Sequence, residues 1–112
     1  MANAFKLKTF DGSSTGANAD MTIYTCPSST ETTIIGMSIA NITSSQITVD
    51  VKLENADGDN IFIVVNAPVP AGGTLVPVGG DQKIVMEASD VLKVQSDTAN
   101  SADTALSILE IT

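Results

Sequence analysis

A chain of 112 residues has room for one hydrophobic core, and with 43% hydrophobic residues, 4% aromatics and no Trp that core must be aliphatic. Five lysines (Lys6, Lys8, Lys52, Lys83 and Lys93), no Arg and thirteen acids give a net charge of −8, a balance that repels nucleic acid and an anionic membrane surface alike. The absence of His, with Cys26 the only cysteine, excludes Ser-His-Asp and Cys-His catalysis, an intrachain disulfide and any multi-thiolate metal site.

The N-terminal segment alternates apolar and polar residues and has no apolar run of signal-peptide or membrane-spanning length, so an unprocessed cytosolic product is expected. Residues 5–10 read as a strand, with Phe5, Leu7 and Thr9 on one face and Lys6 and Lys8 on the other, and with Phe10 closing it. The Ser-, Gly- and Asn-rich stretch 11–20 reads as a mobile loop that sets this segment apart. Residues 1–20 are therefore either an N-terminal arm that docks on a partner or an ordinary first strand followed by a flexible loop. A strand at 21–25 follows.

Residues 33–41 place Ile35, Met37 and Ile39 on one face, and residues 46–54 place Ile47, Val49, Val51 and Leu53 opposite Thr48, Asp50, Lys52 and Glu54. The short polar gap at Ser44-Ser45 predicts a hairpin between the two. Asp57-Gly58 predicts a second hairpin. Its return strand, 61–65, is apolar on both faces, as expected of a central strand or of one covered by a neighbouring subunit. Pro68, Pro70, Gly72 and Gly73 end that segment. Strands are expected again at 74–78, 83–86, 91–95 and 105–111, with a tight turn at 87–90 and a loop at 96–103. About eight short antiparallel strands and no helical period make this an all-β chain, a single β-sandwich over residues 1–112, its topology jelly-roll or Ig-like.

Little in the sequence carries chemistry. Asp50 with Glu54 and Asp57 with Asp59 are pairs that thirteen acids on a small domain produce by accident, and glycosidase chemistry lacks its aromatic platforms here. Asn55-x-Asp57-x-Asp59 begins like a calcium loop. The sixth and twelfth positions, however, are Asn60 and Asn66 where Gly and Glu are required, so the segment reads as a solvated hairpin tip. Gly72-Gly73 and Gly79-Gly80 precede no Gly-Lys-Ser/Thr and read as turns, and Cys26 reads as a small buried hydrophobe. No catalytic residue, cofactor or metal is expected, and the chain reads as a non-enzyme.

Several segments together resemble small virion structural proteins of tailed bacteriophages, notably those of marine bacteria. They are Ile23-Tyr24-Thr25-Cys26-Pro27, Thr33-Ile34-Ile35-Gly36-Met37-Ser38-Ile39-Ala40-Asn41, Ile47-Thr48-Val49-Asp50-Val51 and Asn66-Ala67-Pro68-Val69-Pro70-Ala71-Gly72-Gly73. Two more are residues 83–96 and Ser107-Ile108-Leu109-Glu110-Ile111. The resemblance implies a virion protein made in the bacterial host cytoplasm. It would be a β-sandwich present in many copies on a phage capsid, as decoration (cement) or accessory protein, or a neck or tail component; a glycan-binding adhesion module is the alternative. Self-association as a homo-oligomer, or binding to a multi-copy partner, is expected, because residues 61–65 and 106–111 carry more apolar side chains than one face can bury. The candidate interface is Phe5, Leu7, Phe10, Ile61, Phe62, Ile63, Val64, Leu106, Ile108, Leu109 and Ile111.

Overall fold

Alternating apolar and polar residues put one face of each strand in contact with another layer, and two such layers close over the core. The computed structural model describes residues 2–79 and 82–112, and within them the alternation becomes nine strands. They are β1 (Asn3–Phe10), β2 (Met21–Thr25), β3 (Glu31–Asn41), β4 (Ile47–Glu54), β5 (Asn60–Val69), β6 (Thr74–Val78), β7 (Ile84–Met86), β8 (Val91–Ser96) and β9 (Ala102–Ile111). The first sheet has the order β1-β9-β3-β6, with β7 also on β3, and the second has the order β2-β8-β4-β5. The protein is an all-β sandwich of two antiparallel sheets.

Its winding is that of a jelly roll. β4 and β5 form a hairpin at the Asp57-Gly58 turn, and outward from it β3 pairs with β6, β2 with β8 and β1 with β9, all antiparallel. A single long hairpin is thus rolled up on itself, and the rolling brings β3 beside β9 and β4 beside β8. Ile34, Ile39, Leu106 and Ile108 of the first sheet and Val49, Val51, Leu92 and Val94 of the second fill the space between, all almost wholly buried.

This winding corrects one expectation and narrows another. β3 and β4 are not a hairpin, because they lie in different sheets. Each buries one largely apolar face, and those faces meet across the sandwich instead of lying side by side. The corner between them is built by Asn41, whose Nδ2 lies 2.8, 3.0 and 3.2 Å from the carbonyl oxygens of Ser45, Val69 and Pro70. Its Oδ1 accepts from the Thr43 amide at 2.9 Å and the Thr43 hydroxyl at 2.7 Å. Asn41→Ala leaves these carbonyls short of partners and is expected to cost roughly 1–2 kcal/mol in urea denaturation. An unchanged midpoint would show that strand pairing alone sets the corner. Of the two alternatives for 61–65, the central strand is excluded, because the segment lies on β5 at the edge of the second sheet.

β3 departs from simple alternation at a bulge between Ile34 and Gly36, which turns Ile34 inward and leaves Ile35 on the outer side while Met37 and Ile39 stay inside. The stretch 11–20 lies against the sandwich. Gly12 N donates to Asp103 Oδ1 at 3.0 Å, Asn18 N to Ser96 O at 2.7 Å and Asn100 N to Thr15 O at 2.8 Å. A Cβ on Gly12 would fall 1.7 Å from Ala102 O, so only glycine permits this approach. The 87–90 turn closes with Asp90 N donating to Glu87 O at 3.0 Å. Of the Gly79-Gly80 pair, Gly80 lies outside the described residues.

Candidate functional site

Burial divides the sequence-predicted interface residues. Leu106 and Ile108 are 0% and 1% exposed, part of the core and absent from the chain's surface. They point inward because β9 is a central strand whose even-numbered residues face the second sheet. Leu109 and Ile111 alternate to the outer face and are half-buried, while Phe10, Ile63 and Val64 pack partly against the core. Phe5, Leu7, Ile61 and Phe62 are exposed.

The register carries these residues to different places. Phe5 is opposite Leu109, Leu109 opposite Thr33, and Thr33 opposite Val85, so one outward-facing row crosses the first sheet from edge to edge. Leu7 lies beside Ser107 in the next row, and Val76 stands exposed on β6. Sequence reading missed Val76 and Val85. The only signal available was their place as apolar residues in strands too short to show alternation. Phe62 is opposite Lys52 on the outer face of the second sheet, where Lys93 Nζ lies 3.0 Å from Glu54 and Lys52 Nζ lies 3.5 Å from Asp20. One outer face thus carries apolar and small polar residues at its centre, and the other a web of partly exposed charge.

A buried polar chain ties the two sheets together. Lys6 Nζ lies 2.8 Å from Glu110, the Tyr24 hydroxyl donates to the same carboxylate at 2.5 Å, and Thr32 lies 2.8 Å from the tyrosine oxygen and 3.3 Å from Cys26 Sγ. The hydrogen bond from Lys6, and then that from Tyr24, hold the Glu110 carboxyl below its ordinary range. Burial, and then the carboxylate it donates to, push the Tyr24 phenol well above the ordinary tyrosine value. The carboxylate thus favours its charged form and the phenol its neutral one, the pairing in which the phenol donates and the carboxylate accepts. The arrangement is a structural tie.

The tip at 55–59 is spent on its own turn. Asn55 Oδ1 accepts from Asp57 N at 2.8 Å and Asn55 O from Gly58 N at 2.9 Å. Nearby, the two oxygens of Asp90 accept from Ala56 N and Glu87 N, each at 2.9 Å. Among the described residues no group of three His, Cys, Asp or Glu side chains is placed to hold a metal ion, and no helix is long and apolar enough to cross a membrane.

No family model and no curated protein matches the chain. Among solved structures it is similar to a chain of the acidic stable capsid structure of the Helicobacter pylori bacteriophage KHP30, with a TM-score of 0.51 and 12% identity over 100% of this chain and 89% of that one. It is also similar to a chain of infectious bursal disease virus, Gx strain, with a TM-score of 0.52 and 10% identity. In that second case 97% of this chain corresponds to only 31% of the viral chain. At such identities the likeness shows a shared fold, the rolled two-sheet sandwich.

Proposed function

We propose that the protein is a non-enzymatic structural component of a bacteriophage virion, made in the bacterial host cytoplasm and bound in many copies to the capsid as a decoration (cement) or accessory protein. The observation that carries this reading is the end-to-end likeness of the whole jelly roll to a phage capsid chain of nearly the same length. Two features of the chain support it. One is an outer face built of apolar and small residues, which solvent alone does not stabilise. The other is the strand-and-turn resemblance to phage virion proteins. A glycan-binding adhesin is disfavoured because Trp is absent, Tyr24, the only tyrosine, is buried in the sheet-to-sheet tie, and the exposed Phe5 and Phe62 lie on opposite outer faces and form no joint sugar platform.

The test uses particles made with and without the protein. A decoration protein is expected in purified particles in many copies by quantitative mass spectrometry, and particles lacking it should assemble and then fail at lower temperature. Defective tail joining in its absence would indicate a neck or tail component, and intact particles that no longer adsorb would indicate an adhesin. Absence of the protein from purified particles would overturn the proposal.

A further inference from the structure

We propose that two copies of this chain pack the outer faces of their first sheets together about a two-fold axis, with Phe5 of each copy seated in a depression on the other. β1 turns Lys6 and Lys8 inward, β2 is bulged between Thr22 and Tyr24, β5 carries two register shifts and Pro68, β6 carries Pro77, and β7 has three residues. Each is a device that discourages a further strand from pairing, so association runs through a face. The second sheet offers the charged one. On the first sheet, the outward paired positions between Glu31 at one end and Asp103 at the other carry no charged side chain among the described residues, and the exposed Lys83 flanks this face just ahead of β7.

Charge permits a second copy as the occupant. Two molecules of net charge −8 repel, and contact through the uncharged face keeps their charges at the periphery, in water and screened. The area agrees. Four strand positions at about 4.8 Å spacing and about eight residues of about 3.3 Å rise give a footprint of roughly 500 Å² per copy, or roughly 1,000 Å² for the pair, near the lower limit of a specific interface. The relief is self-complementary. Phe5 projects at 78% exposure, and on the same face lies a shallow depression of about 350 Å³ lined by Gly36, Ser38, Val76, Ala105 and Ser107. The depression is open to solvent, and Gly36 with the small side chains of Ser38, Ala105 and Ser107 leaves room above it for a phenyl ring. The same residues meet from both sides, as a two-fold contact requires.

Sedimentation velocity across a concentration series tests this on the full chain. Wild type is expected to dimerise, no more weakly at high salt than at low. Phe5→Glu places a charge on the projecting residue, and Gly36→Val fills the depression; a Cβ at Gly36 meets only Val78 O, at 3.9 Å, so the fold accommodates it. Both should weaken the dimer at least tenfold with the melting temperature unchanged, while Phe62→Glu on the opposite face should behave as wild type. A wild type that stays monomeric at its highest soluble concentration would overturn the inference, and so would a dimer indifferent to Phe5→Glu and Gly36→Val or one lost in Phe62→Glu. A monomer that still binds phage particles would remove this inference and leave the proposed function standing.

Discussion

Leu106→Ala is expected to lower the unfolding free energy by about 3–4 kcal/mol, a large share of the roughly 5–15 kcal/mol that holds a domain of this size together. Leu106 has no exposed surface and lies on β9, between Lys8 of β1 and Met37 of β3. Neighbours on both flanks and in the facing sheet prevent the site from collapsing, so the substitution loses both the transfer free energy of the side chain and the contacts around the void. Leu109→Ala is the matched control. It removes the same atoms from the same strand three residues later, on the outer, half-buried face, and should cost under about 1 kcal/mol. Urea denaturation of both variants decides the matter: equal losses would mean that β9 does not divide its leucines between core and surface.

The contrast between these two leucines also marks how far the sequence could be read. Strand positions were legible because period two survives in 46–54, and the Asp57-Gly58 tip was legible because few dipeptides tolerate positive φ so readily; Gly58 has φ +107°. Partnership was not. A short polar gap between two alternating strands looks the same whether the chain turns back within a sheet or crosses to the other, and β3 to β4 is the crossing kind. Residues 61–65 and 105–111 look equally apolar, yet one is an exposed edge and the other a central strand. Pairing across a hundred residues decides that, and alternation reports only local geometry. The bulge at Ile34–Gly36 hid a further point by moving Ile35 to the outer face. The uncharged face was only partly visible for the same reason: Phe5 and Leu109 could be suspected singly, but the register that lines them up with Thr33 and Val85 exists only once four strands are assembled.

Glu110→Gln is expected to cost about 2–3 kcal/mol at neutral pH, with the loss shrinking as the solution is acidified. Glu110 is 4% exposed and faces the core from β9; its carboxylate accepts from Tyr24 across the sheets and from Lys6 on the neighbouring strand. An amide keeps the shape and can still accept one hydrogen bond. It loses the charge that Lys6 approaches at 2.8 Å, and with half of the Lys6 side chain in water, resolvation keeps the loss below that of a fully buried pair. The pH dependence follows from linkage. The folded-state pKa of Glu110 lies below its unfolded value, so the unfolded chain takes up the proton first on acidification. The carboxylate's contribution is therefore complete above the ordinary glutamate range near pH 4.3, and it drains away as pH falls through the lower folded value. Wild type and Glu110→Gln share their other carboxylates, so subtracting one stability curve from the other isolates this group. The gap should be flat from pH 7 to about 5.5 and should narrow steadily below about 4.5. A gap that stays constant down to pH 3 would mean that the carboxylate contributes through its shape alone, and that Lys6 and Tyr24 do not hold it in its charged form.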